Sequence, residues 1–288
     1  MTGRINRMIL IPAAILSAWA VLPSCSTILE DRSDCPCILT VNTARIPQAT
    51  GILSPVEEGD LRISLITEEG SPIISDKAVR RMDRRSDNEY STRVRKSMAV
   101  LSSTIGGKHY RTSSDKRSMV LEEGYEADSV YVHLNSVDCL GETAYDTLKV
   151  HKEWCTVNIF LKGNDHGKRY SFTMEGQWNG FSLGTALSPL KGKFNCETRK
   201  LSSDNFQARI PRQGDDSLIL RMYEDDANGI HYREISSFPL GYLIMKAGFD
   251  WFRRDLHDID ITIDQSSLSI GIQVCPWYGG TNLGDMEL

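Results

Sequence analysis

Cys25 is the residue whose setting implies the clearest chemistry. It stands three places after Leu22, in Leu22-Pro23-Ser24-Cys25, behind a basic start (Arg4, Arg7) and an apolar run from Met8 to Val21. A small residue just before a cysteine at that distance from a leucine is the pattern of a lipobox. There the cysteine sulfur is acylated and the peptide bond before it is then cut; Pro23 is not the usual occupant of its place. The apolar run is shorter than the roughly 20 residues that a membrane-spanning helix needs, which fits a cleaved leader instead. The competing reading is an ordinary secretory leader with an accidental cysteine. On the lipid reading the leader is residues 1–24 and the mature chain starts at Cys25, held by palmitate-like chains. Each buried methylene contributes about 0.8 kcal/mol, so two or three chains give a stable anchor where one holds only reversibly.

Six further cysteines remain: Cys35, Cys37, Cys139, Cys155, Cys196 and Cys275. In an exported chain an even number permits up to three disulfides, with the pairing left open. Cys35-Pro36-Cys37 invites a metal or redox reading. Zinc sites generally add a second ligand pair at short spacing, and no Cys/His pair elsewhere supplies one, so no metal and no cofactor is expected. His109, His133, His151, His166, His231 and His257 are scattered, with no H-E-x-x-H, phosphate loop or G-x-S-x-G elbow. Asp255, Asp258, Asp260 and Asp264 could hold calcium, but they lack an EF-hand's central glycine. Their alternation with isoleucines makes them the solvent face of a strand. No catalytic residue is nominated and the chain reads as a non-enzyme. Its net charge of -5 offers no broad basic face for nucleic acid.

Period-two alternation dominates the rest. Leu39 and Val41; Leu61, Ile63 and Leu65; Val130, Val132 and Leu134; and Val157, Ile159 and Leu161 each alternate with mostly polar neighbours, placing every second side chain on one face of a strand. The polar connector Gly163 to Lys168 then separates a second set: Tyr170, Phe172 and Met174, followed by Leu218, Leu220 and Met222. A final hairpin sets Ile259, Ile261 and Ile263 against Leu268, Ile270, Ile272 and Val274, with a turn at Asp264-Gln265-Ser266-Ser267. Ser237 to Gly248, with a serine cap, an early proline and a closing glycine, is the one good helix. Arg80 to Ser97, rich in arginine, reads as a long exposed loop. The expectation is an all-β chain of two antiparallel sandwiches: a lipid-anchored linker at 25–34, an N-terminal domain at 35–165 and a C-terminal domain at 166–288.

Three stretches resemble one family. Cys25 to Pro36 (a lipobox, then Asp34-Cys35-Pro36 before a strand), Asp60 to Gly70 (an early strand and turn), and the run from Pro239-Leu240-Gly241-Tyr242-Leu243 through Gly248-Phe249-Asp250-Trp251 to Asp255–Asp264 are similar to the FimB/Mfa-type fimbrial anchor lipoproteins of Bacteroides-like bacteria. The resemblance touches both expected domains. It implies two transthyretin-like (Ig-like) β-sandwiches, lipidation at Cys25, and a place at the base of a type V-like pilus, which the protein fixes to the outer membrane. It also implies partnership with a pilin subunit through insertion of a strand, with no small-molecule substrate; which residues bind that partner stays unknown. Ser26 takes the place where a retention aspartate would hold a lipoprotein at the inner membrane. Glu30, Asp31 and Asp34 form the kind of acidic stretch that in some Gram-negative groups accompanies surface display. The other classes weighed are a surface lipoprotein that binds glycan or another cell, and an envelope enzyme. The tail from Cys275 to Leu288 is either part of a partner interface or folded back on its own sandwich.

Overall fold

A computed structural model describes residues 35–43, 61–79, 84–86, 89–115, 117–163, 168–184, 187–226, 231–267 and 269–275. Cys25, the leader, the linker at 25–34, the centre of the connector near 165 and the tail after Cys275 lie outside the described residues. The chain from Pro36 onward forms one compact unit.

Its first half supplies β1 (Cys37–Asn42), β2 (Leu61–Thr67), β3 (Pro72–Ala78), β4 (Arg84–Ser86), β5 (Glu89–Val94), β6 (Met98–Gly106), β7 (Tyr110–Thr112), β8 (Ser118–Leu121), β9 (Val130–Asp138), β10 (Thr143–Thr147) and β11 (His151–Lys152). The second half supplies β12 (Trp154–Lys162), β13 (Arg169–Leu183), β14 (Leu187–Glu197), β15 (Arg199–Lys200), β16 (Asn205–Pro211), β17 (Ile219–Asp225), β18 (His231–Phe238), the helix α1 (Leu240–Lys246), β19 (Asp258–Asp264) and β20 (Ser269–Cys275).

Four sheets result. One, ordered β10-β1-β5-β4, faces another, ordered β11-β9-β6-β2-β3. The amine of Lys77 on β3 sits 5.2 Å from the ring of Tyr90 on β5, and His133 on β9 bonds Asp146 on β10, so the two layers meet through specific pairs as well as through apolar burial. The third sheet, β15-β16-β12-β19-β20, faces the fourth, β18-β17-β13-β8-β7, with β14 also paired to β13. Phe172 and Phe206 join these layers edge to face, ring centres 4.9 Å apart. The expected all-β sandwich architecture is therefore what the chain adopts.

The alternating residues do what alternation requires. Leu39, Val41, Ile63, Leu65, Val157, Ile159, Ile259, Ile261 and Ile263 are all buried, and the final hairpin pairs Ile259 with Val274, Ile261 with Ile272 and Ile263 with Ile270. Three details differ from the sequence reading. First, two pairings are parallel, β1 with β10 and β12 with β19. These partners lie about a hundred residues apart, so no tight turn constrains their direction. Second, the arginine-rich stretch is not all loop. Tyr90 and Val94 alternate with polar residues in β5 and are buried against the core, while β5 pairs along the whole of β1. The arginines masked a strand pattern that burial of every second residue reveals. Third, α1 begins after Pro239 with no side-chain cap, because Ser237 is still in β18 opposite Arg221. Gly248, at φ +89°, ends the helix as expected: it donates to the Met245 carbonyl, and the next amide, Phe249, donates to Ile244.

The expected domain division at 165 falls between β12 and β13, which lie in the two facing sheets of the C-terminal pair. The β7–β8 hairpin, from far earlier in the sequence, also extends the fourth sheet, where Phe181 pairs with Met119.

Candidate functional site

The chain passes from the first pair of sheets to the second at Glu153, between β11 and β12, and a buried ionic cluster forms there. Glu153 is fully buried and its carboxylate receives two bonds from Arg212, from Nε at 2.7 Å and from Nη2 at 2.9 Å. The remaining guanidinium hydrogens go to the carbonyls of Trp251, Arg253 (2.7 Å) and Arg254 (3.1 Å), so all five donors are used. Burial holds the Glu153 carboxyl above its ordinary value even though Arg212 pulls the other way. Next to it Lys152, 1% exposed, reaches Asp258 at 2.6 Å, and the Lys152 amide donates to Asp255 at 3.0 Å. Asp258 also accepts from the Thr156 amide, and Asp260 from Asn158. Two of the aspartates expected on a solvent face therefore serve as internal acceptors, with Asp255 a third. The cluster ties the loop before β19 to the crossover and opposes Lys152 with Asp258 and Glu153 with Arg212, which is the arrangement of a structural joint.

Among the described histidines, His133 and His109 each pair with an aspartate. His133 Nε2 lies 2.9 Å from Asp146 Oδ2, both groups nearly buried, while the Lys149 amide donates to its Nδ1. Burial would raise Asp146, but the bonds from His133 and Asn135 outweigh it and hold the carboxyl below its ordinary value. His151 is pushed down to about 4, first by burial and then by Arg254. His109 stacks on Tyr125 at 4.3 Å and bonds Asp128. Among the described residues no group of three metal-ligating side chains converges, and no helix is long and apolar enough to cross a membrane.

What the molecule does present is open sheet edge. An unpaired row of N–H and C=O groups is a template for another strand unless it is short, bulged or charged. β15 is two residues long and basic; β3 carries Pro72, irregular register and Asp76 at φ +45°; β18 is laced to β17 by Arg221–Glu234 and Arg233–Glu224. β20 has no charged residue, and α1 packs against it. β10 is an edge of the same kind, paired with β1 on one side with no described strand on its other side, and its pairing with β1 is regular along its whole length.

Two backbone bonds fix the phase of β10. The Ile38 amide donates to Glu142 O at 2.8 Å and the Leu148 amide to Asn42 O at 2.9 Å, so the even-numbered residues face β1 and Thr143 and Tyr145 direct their backbone groups outward. The Tyr145 side chain is 73% exposed, and Leu140, just upstream, is 56% exposed. A groove of about 660 Å³ runs beside this edge, lined by Tyr145, Asp146, Asn135, Lys149, His151 and Arg254 among others. No sequence signal singled out β10; Ala144 and the buried Leu148 were its faint alternation. Cys25, the one site residue the sequence nominated, lies outside the described residues.

No protein-family model matches the sequence, and no curated protein matches it. Solved structures do match in fold. One is the fimbrial anchor protein Mfa2 from Porphyromonas gingivalis, at a TM-score of 0.55 and 13% identity over 84% of this chain and 98% of that one. A second is a candidate polysaccharide-binding protein (DUF1812) from Bacteroides thetaiotaomicron, at 0.58 and 12% over 83% and 95%. A third is a candidate adhesin from Bacteroides ovatus, at 0.55 and 14% over 88% and 96%. The fold expected from the resemblance, that of the Mfa-type fimbrial proteins, is thus the fold of this chain.

Proposed function

We propose that this chain is a surface lipoprotein that fixes a fimbria to the outer membrane, lipidated at Cys25 and joined to a pilin subunit by strand addition. The observation that carries the pairing is the one-sided β10, with outward backbone groups at Thr143 and Tyr145 beside an open groove. Strand addition combines main-chain hydrogen bonds with pockets for alternate side chains, and β10 offers the first and its groove the second. The fold shared with a fimbrial anchor protein and the lipobox spacing at Leu22 to Cys25 support the same reading.

The test joins both halves. Native protein is extracted from membranes and analysed by mass spectrometry for an acylated peptide starting at Cys25 and for co-purifying pilin. The same is done with Tyr145→Pro, which removes an outward donor while leaving the ladder to β1 intact. Acylation with pilin in the wild type and loss of pilin in the variant is expected. Unmodified Cys25 would overturn the anchor, and pilin retained by a folded Tyr145→Pro protein would overturn pairing at β10.

A second reading, an adhesive or glycan-binding lipoprotein, is favoured by one feature. Tyr125, 46% exposed and stacked on His109, borders a polar groove with Glu126, Asn195, Glu197 and Arg199. Glycan-array binding by the wild type that Tyr125→Ala abolishes would move the assignment to that class.

A further inference from the structure

Among the described cysteines one pair meets. Cys37 opens β1 in the first sheet, and Cys139 directly follows β9 in the sheet facing it. Both are fully buried free thiols, and they lie at one corner of the sandwich, since Cys37 pairs with Val94 on β5 while Cys139 is bonded to Ser97, three residues further along the short turn into β6. The flanking backbone holds them there: the Ile38 amide donates to Glu142 O, and the Cys139 amide to Ser97 O at 3.0 Å. The other described cysteines lack such a partner. Cys155 on β12 and Cys275 on β20 have β19 between them, a separation of about 10 Å at the usual strand spacing and beyond the roughly 7 Å that a disulfide spans. Cys196 on β14 stands opposite Met174.

We infer that Cys37 and Cys139 are the site of a disulfide that staples the two sheets of the first sandwich and fastens its leading strand to the body. Both thiols give up their protons and the pair loses two electrons. These pass to a disulfide oxidant, a thiol–disulfide oxidoreductase in the cell or oxidised glutathione in vitro, which leaves as two thiols. The bond forms during folding, before β1 is fully seated, because an oxidant cannot reach sulfurs that are wholly buried and burial also disfavours the thiolate. β1 is the first described strand after the proposed lipid site, so on the anchor reading a pull from the membrane reaches β1 first. The staple passes that load to β9 in the interior of the facing sheet. In the cell the bond rests on the proposed export; refolding in vitro does not.

The test refolds the reduced, denatured chain in glutathione buffer, alkylates remaining thiols and maps linked peptides. A Cys37–Cys139 peptide is expected, together with a melting temperature that falls by about 5–10 °C when reductant is added. A Cys37→Ala/Cys139→Ala double variant should show no reductant dependence. Folded protein with both thiols alkylated, or with Cys139 linked instead to Cys35, would overturn the pairing. Protein trapped with alkylating agent at harvest provides the second arm. A linked pair there supports the inference in the cell. Free thiols there beside a linked refolded product uphold the pairing and count against export.

Discussion

Arg212 shows how much one side chain can hold. Nothing in its local sequence, Pro211-Arg212-Gln213, marks it, yet it is buried with all five donors spent on Glu153 and three carbonyls of the 251–254 loop. Removing one member of a buried pair leaves the other charge uncompensated. Arg212→Ala is therefore expected to cost about 3–5 kcal/mol, read as a lower urea midpoint at unchanged slope, while the double variant Glu153→Gln/Arg212→Met recovers much of that loss. His151 gives the cluster a pH signature. Its folded value of about 4 lies below the ordinary 6.5, so the folded state binds the proton less well than the unfolded chain. Its contribution is complete above pH 6.5 and is lost as pH falls from 6.5 towards 4, by up to about 3 kcal/mol. Glu153, shifted upward, works in the opposite sense, and Asp255, Arg212 and Arg254 face the same ring. The comparison that isolates His151 is thus wild type against His151→Gln in urea at pH 7 and pH 4.5: the wild type should lose more stability on acidification. Equal losses would show that His151 is not the titrating group.

At the level of elements, alternation read the central strands well because each buries one face. It failed where the pattern was short or overlaid by charge, as in β5, whose Tyr90 and Val94 sit among Arg93, Arg95 and Lys96. It also said nothing of which strand pairs with which. The β7–β8 hairpin joins the fourth sheet through a close approach at Gly180, where a Cβ would lie 2.3 Å from the Met119 carbonyl oxygen and 3.1 Å from the Val120 Cα. Both neighbours are backbone and cannot swing aside. Gly180→Ala is expected to cost about 2–3 kcal/mol and to accelerate amide exchange selectively over Ser118–Leu121 as that hairpin is pushed from β13. Uniform exchange across the sheet in that variant would mean that the hairpin is not held there. At β10, the outward phase of Thr143 and Tyr145 was illegible in sequence, since it follows from hydrogen bonds to β1 more than a hundred residues away.

For the whole molecule, the crossover at Glu153, the hairpin shared with the fourth sheet and the contact of Tyr131 with Trp154 at 4.8 Å bind the two pairs of sheets into one body. We propose that residues from Pro36 onward unfold as one unit: fluorescence and circular dichroism should give coincident urea transitions. A fragment from residue 166 onward, which lacks β7, β8 and β12, should be insoluble because Phe181 and Ile261 lose their cover. Two separated transitions, or a folded fragment, would support the division expected at the connector. By itself the sequence determined the all-β class, the buried faces of the central strands, the final hairpin and, as an expectation, lipidation at Cys25, because alternation and a cleavage motif are local in the chain. Only the tertiary structure decided the parallel pairings, the burial of Arg212 with Glu153, the meeting of Cys37 with Cys139 and the open edge at β10. Each of these joins residues dozens to a hundred positions apart, and a sequence pattern carries no record of which distant strand will lie alongside.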